Sequence, residues 1–145
     1  MTSFNVPSGQ SLWNRSTAGP MIYNGQVVTG QIYFYPNGST QSIYWMVTSS
    51  GVKIIGSVYS DGTVTSDGTF WSQNTNPGQT ASDSNNNVST FVGFQTVNLA
   101  GKTFTNTCHF NAVGNQGSGD VWYAPGYGVI KQVGATGTVQ YNGDL

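Results

Sequence analysis

An all-β fold is what this 145-residue chain predicts, and three observations carry the prediction. Leu, Glu, Lys and Arg sustain helices, yet Glu is absent and Leu occurs only at Leu12, Leu99 and Leu145. Val, Ile, Thr, Tyr, Phe and Trp dominate instead and alternate with polar residues at period two. Asn-Gly, Asp-Gly and Pro-Gly pairs punctuate the alternating runs where hairpins must turn. The expected architecture is a single domain of antiparallel meander hairpins forming a strongly curved sheet, half-barrel or barrel-like, with little or no helix. A chain of this length buries roughly 70% of its unfolded surface, so the core needs neither a disulfide nor a metal.

Residues 1–24 carry no regular alternation and read as an irregular N-terminal segment. The first meander is expected over 25–71. In 26–35, Val28, Gly30, Ile32 and Phe34 fall on the side predicted to face inward, and Val27, Thr29, Gln31, Tyr33 and Tyr35 on the outer side. Asn37-Gly38 supplies a tight turn into a strand over 40–48, whose inward side is Ile43, Trp45 and Val47. Further strands follow over 52–59, 63–65 and 69–71, separated by Asp61-Gly62 and Asp67-Gly68. Residues 72–87 hold no apolar side chain except Ala81 and read as a long polar loop, accessible to antibodies if the protein is displayed on a surface. The second meander is expected over 88–141. The repeated Ser-Asp-Gly-Thr at 60–63 and 66–69 is explained by two turns of the same chemistry.

Only 6% of residues are charged, so solubility rests on neutral polar groups, a profile that suits an extracytoplasmic protein. The four cations, Arg15, Lys53, Lys102 and Lys131, are scattered and cannot assemble the phosphate contacts of a nucleic-acid surface. So few lysines also leave sheet edges unguarded, and the fold must cover them some other way.

Catalysis needs titratable groups that converge, and the chain offers one His, one Cys and five Asp. Asp61 and Asp67 precede Gly and read as turn residues, Asp83 lies in the polar loop and Asp144 near the end; Asp120 is the one Asp placed for another role. Cys108 and His109 are adjacent in a strand, so they point to opposite faces and form no dyad. Alternation groups Phe104, Cys108, Phe110 and Ala112 on one side and Thr103, Thr105, Thr107, His109 and Asn111 on the other. Cys108 is thus expected as a buried small hydrophobe and His109 as a solvent-facing residue. Neither a metal site nor a cofactor is expected from so few dispersed ligands. Aromatic side chains are the remaining lead, and Tyr33, Tyr35, Tyr44 and Tyr127 are the candidates for a ligand-binding face.

One stretch carries a more specific pattern. Val97, Ala100, Gly101, Phe104 and Cys108 are followed one hairpin later by Trp122, Tyr123, Ala124, Pro125, Gly126, Gly128, Val129, Ile130 and Lys131. This resembles the C-terminal part of a set of uncharacterised bacterial exported β proteins and lipoproteins, in which "aGtF-x-n-C" precedes "W-Y-aPGvGlVK"; Tyr127 stands where that pattern has a small aliphatic residue. The resemblance covers about a third of the chain and implies an exported protein with a curved sheet and no established reaction. Its residues read as a folding device, with a tight turn at 125–128 and Trp122 packing across the hairpin on Val129.

The expected protein is a non-enzymatic surface or periplasmic binding or structural protein and, where displayed, a surface antigen, with the signal segment outside this sequence. Its expected partners are an envelope lipid, a glycan or a host surface component. The rival readings are an adhesin or phage-tail-like carbohydrate-binding module and, last, a hydrolase built around His109 or Asp residues.

Overall fold

The structure, a computed structural model, describes residues 1–7, 12–48, 51–65, 70–72, 76–82, 86–114, 117–124, 126–135 and 137–145; for 46–48, 51–54, 65 and 70–72 the description covers the backbone alone. Every element among them is a strand. The first half holds β1 (Thr2–Asn5), β2 (Arg15–Tyr23), β3 (Gln26–Phe34), β4 (Thr40–Thr48), β5 (Gly51–Tyr59), β6 (Val64–Thr65) and β7 (Phe70–Ser72). The second holds β8 (Thr80–Ser82), β9 (Val88–Leu99), β10 (Lys102–Gly114), β11 (Gly117–Ala124), β12 (Gly128–Gly134) and β13 (Gly137–Asp144).

All join one antiparallel sheet, in the order β6-β5-β4-β3-β2-β1-β13-β12-β11-β10-β9-β8, with β7 beside β5. Along that order, neighbours in the sheet are neighbours in sequence at every step except β1–β13, while β7 reaches β5 past β6. β1 pairs with β2 on one side and with β13 on the other, so the first meander runs outward from a central seam and the second runs back to it. The sheet is open and does not close into a barrel.

Residues 1–24 are not irregular. β2 pairs with β3 along its whole length around Asn24-Gly25, whose φ angles of 50° and 76° are those of a tight hairpin. The run Ala18-Gly19-Pro20 hides this strand from a reading of alternation, but Pro20 is tolerated because β1 pairs with β2 only at Arg15 and Ser16. The segment 72–87 likewise contains β8, a three-residue strand held by backbone pairing to Val88, Ser89 and Thr90 rather than by apolar side chains. The Asn37-Gly38 hairpin forms as expected: Asn37 Oδ1 accepts from the Ser39 amide at 2.9 Å. Asp61 Oδ1 accepts from the Thr63 amide at 2.8 Å, which holds its carboxyl below the usual range. Asp67 and Asp83 lie outside the described residues, as does the position 125 proline of the second-half motif.

The core corrects the expected facing of β3. Tyr33, read as outward, is only 5% exposed, and Gln31 is fully buried. Ile43 lies opposite Gln31 and Trp45 opposite Thr29, so the inward side of β4 shares its face with Gln31 and Tyr33. Val28 and Gly30 are buried on the reverse face, where Met21 and Tyr44 lie directly across from them. Alternation alone chose the wrong face because the strand is covered on both sides and its principal core residues are polar.

One core unites the two halves: Phe4, Trp13 and Tyr33 pack with Leu99, Phe104, Val129, Ile130, Val139 and Tyr141. Trp13 stacks on Tyr33 at 4.7 Å between ring centres, and Phe4 meets Trp13 edge-on at 4.4 Å. Such pairs contribute about 0.5–1.5 kcal/mol each beyond the area they bury. At the centre, Gln31 Nε2 donates to Ser16 Oγ (3.1 Å) and to the Tyr127 carbonyl (3.3 Å). Its Oε1 accepts from the Tyr33 hydroxyl and from the Val129 amide, both at 3.1 Å. One amide therefore ties β2 and β3 to the turn between β11 and β12, 96 and 98 residues away. Gly128, at φ 75°, permits this approach, since a Cβ there would collide with the Gln31 amide.

Replacing Gln31 by Leu keeps the volume but strands the Val129 amide and the Tyr33 hydroxyl, at about 1–3 kcal/mol for each buried unsatisfied group. The Gln31→Leu variant is expected to lose about 2–6 kcal/mol in urea unfolding, and an unchanged midpoint would refute the assigned role.

Candidate functional site

The single histidine sits in a cross-strand ladder on the second half. Direct register places His109 (β10) opposite Trp122 (β11), Trp122 opposite Lys131 (β12), and Asn111 opposite Asp120. Directly opposed residues share a face, so these side chains meet. His109 stacks on Trp122 with ring centres 4.2 Å apart and planes 13° from parallel, and the Lys131 ammonium lies 4.9 Å from the Trp122 ring centre. Because β10 and β12 flank β11, the indole is held between imidazole and ammonium.

The hydrogen bonds fix the proton positions on this ladder. Trp122 Nε1 can only donate, and it donates to Gln95 Oε1 at 3.0 Å. Gln95 Nε2 therefore faces His109 Nδ1, at 3.1 Å, as the donor. His109 Nε2 is left to donate to Asp120 Oδ1 at 2.7 Å. Both ring nitrogens of a neutral imidazole are thus engaged. A general base needs a ring nitrogen facing a nucleophile, and here that position is taken by an amide.

This arrangement corrects two readings. His109 is not solvent-facing: its side chain is 13% exposed. Nor does β10 alternate without interruption. Phe104 opposes Val97 and Thr107 opposes Gln95, so an extra residue bulges out between them, with Asn106 at φ 53°. Phe104 and Thr107 are both buried on one face in consequence, and Cys108 is half-buried opposite Phe94 and Tyr123. Burial pushes the Cys108 thiol up, away from the reactive thiolate.

The second group surrounds Tyr127. Its ring meets Phe104 edge-on at 5.1 Å, its hydroxyl accepts from the Lys102 ammonium, and that ammonium lies 4.4 Å from the ring centre. Asp144 completes the rim, 3.4 Å from Lys102 Nζ and 3.1 Å from the Tyr141 hydroxyl that donates to it. The Tyr127 hydroxyl, with Asp144 beside it, holds Lys102 above its ordinary range. Tyr127 forms the wall between two open recesses. One, of about 240 Å³, is lined by Thr2, Ser16, Thr17 and Asp144 among others; the other, of about 270 Å³, by Lys102, Thr103, Phe104 and Asn106.

Of the four tyrosines named as ligand candidates, Tyr127 alone lines these recesses. Tyr33 is removed from the set by its burial. Tyr35 is half-buried and donates to Gln41 Oε1 at 3.0 Å, while Tyr44 packs on Tyr23 at 4.6 Å. In the second-half motif, Gly101 (φ 77°) and Ala100 (φ 49°) form the β9–β10 turn, and Gly126 and Gly128 both adopt positive φ beside Tyr127. The expected contact of Trp122 with Val129 is replaced by Tyr123 opposite Val129, because Ile130 is an extra residue in β12 between the two pairs. Lys102, Asp144 and Gln95 escaped the sequence reading, since nothing local marks a lysine and an aspartate 42 residues apart as partners. No family model matches the chain, and no curated protein or solved structure matches it.

Two outcomes are expected. Long-range 1H–15N spectra will show His109 as the Nε2–H tautomer with an unprotonated Nδ1, and Gln95→Leu will weaken that preference. Burial raises the phenol of Tyr33 well above the usual value of about 10 and that of Tyr35 less strongly. A raised native pKa means stability is intact below pH ~10 and is lost above it as the unfolded chain sheds its phenolic protons first. Absorbance at 295 nm is therefore expected to show a late tyrosine step coincident with alkaline unfolding, and full titration of every tyrosine in the folded protein would contradict it.

Proposed function

We propose that this chain is a non-catalytic binding protein of an exported bacterial class, and that it contacts a neutral, hydroxyl-rich glycan at the rim around Tyr127. The observation that carries the reading is the position of Tyr127 on both of two open recesses, whose walls set hydroxyl and amide groups beside the Phe104 ring and the charged Lys102 and Asp144. Aromatic edges beside amide and hydroxyl groups suit sugar rings and their hydroxyls, whereas an acyl chain calls for an apolar trough. Among the tryptophans with described side chains, Trp13 and Trp45 are buried and Trp122 carries the His109 ring stacked on its face, whereas Tyr127 borders both recesses with Lys102 and Phe104 against its ring.

The engagement of both His109 nitrogens favours a structural part for that residue over the hydrolase reading. Sparse charge and the resemblance of the second-half motif to exported β proteins support a surface or periplasmic setting, in which the chain serves as a binding or structural protein and a target for antibodies. A carbohydrate-binding adhesin module is the form of this reading that the Tyr127 rim favours.

Oligosaccharide binding measured by calorimetry is expected to fall at least tenfold in Tyr127→Ala and to stay unchanged in His109→Asn. Equal affinity of Tyr127→Ala and the parent protein would overturn the site. Intact mass of the endogenous protein in separated cell fractions is expected to show a processed species in the envelope or medium.

A further inference from the structure

The outer side of β9 is covered for only a quarter to a third of its length. β8 pairs with Val88, Ser89 and Thr90, and the Gly78 and Gln79 backbones bond to Phe91. From residue 92 to residue 99, no strand among the described residues pairs with β9 on the side away from β10. Exposure agrees with this: Val92, Phe94, Gln95, Thr96 and Asn98 are all exposed, and Phe94 reaches 61%. The opposite border of the sheet differs, because β6 and β7 between them cover both ends of β5.

Natural sheets protect a bare edge with charges, proline or a bulge. Residues 92–99, Val-Gly-Phe-Gln-Thr-Val-Asn-Leu, contain no charge and no proline; the one extra residue of β9 itself lies at their start, beside Gly93, and the extra residue opposite Gln95 and Val97 belongs to β10. We propose that this edge pairs antiparallel with the same edge of a second copy of the chain, extending the sheet across a two-fold axis. The composition of the segment argues for that occupant. A two-fold pairing sets each side chain opposite one from the same short run, so any charge would face a like charge near the axis. Here every register centred on Gln95 or Thr96 opposes neutral to neutral, and it covers the exposed Phe94. The inference does not depend on the glycan reading, since the Tyr127 rim lies elsewhere.

Sedimentation velocity of the full chain across a range of concentrations tests it. A reversible dimer is expected. Thr96→Lys, which brings two ammonium groups together near the axis, is expected to raise its dissociation constant at least tenfold. Val27→Lys, at an exposed position on the β2–β3 hairpin, should leave dimerisation unchanged. Circular dichroism checks that both variants fold. Hydrogen exchange of the parent protein supplies the measurement that needs no variant: amides of 92–99 are expected to gain protection as concentration rises. A parent protein that stays monomeric would overturn the proposal. So would a dimer indifferent to Thr96→Lys, concentration-independent exchange, or a monomer whose edge is protected only by an added extended peptide.

Discussion

The buried amide of Gln31 is the constraint on which the rest of the architecture depends. A primary amide offers two donors and an acceptor with two lone pairs, and here partners from both halves of the chain meet it. Each such bond contributes about 0.5–1.5 kcal/mol net, but each one left unmade would cost more, so the arrangement is close to all or none. That asymmetry explains why the approach of the β11–β12 turn to β3 is so closely specified and why Gly128 has no room for a side chain. It also explains the neighbouring hydroxyls: Thr2 Oγ1 and Ser16 Oγ lie 3.1 Å apart and continue the network to β1. A sheet of this kind is aligned by its polar centre and consolidated by the aromatic residues around it.

The same logic runs through the second half at lower stakes. The Gln95–His109–Asp120–Trp122 ladder is partly open to water, so its bonds orient side chains more than they stabilise the fold. Partly buried cation–π contacts such as Lys131 over Trp122 contribute on the order of 1 kcal/mol. Neutral amides, hydroxyls and aromatic rings do here what ion pairs do elsewhere, as a chain with nine charged side chains in 145 residues requires.

Much of the fold was legible from period and turns. The all-β class, the Asn37-Gly38 and Asp61-Gly62 turns and the strands of both meanders follow from alternation and turn chemistry. Where the reading failed, a local signal met a non-local requirement. Asn24-Gly25 announces the β2–β3 hairpin, but Gly19 and Pro20 obscure the strand before it. The bulges in β10 and β12 shift the face of Thr107 and the partner of Trp122, and Asn106, a residue type that tolerates positive φ, is the one local mark of the first. Tyr33 looked like an outward aromatic because its burial depends on Trp13 and Gln31. Of the site, Tyr127 and the pairing of His109 with Trp122 were within reach once Gly114 is set opposite Gly117; Lys102 and Asp144 were not.

The seam between β1 and β13 bears on how the chain reaches this state. Thr2 pairs with Asp144 and Phe4 with Tyr141, and the Leu145 amide donates to the Met1 carbonyl at 2.9 Å. Pairings between consecutive strands form at the small entropic cost of a hairpin, and β5–β7 spans only the short β6 besides. The seam must close a loop of nearly the whole chain, and contacts of such separation slow folding. Until β13 is made, Phe4 lacks its Tyr141 neighbour and β12 lacks the strand that joins it to β1. The two halves of the core are therefore joined by the pairing of longest sequence separation, and packing of Phe4 against Tyr141 waits on it.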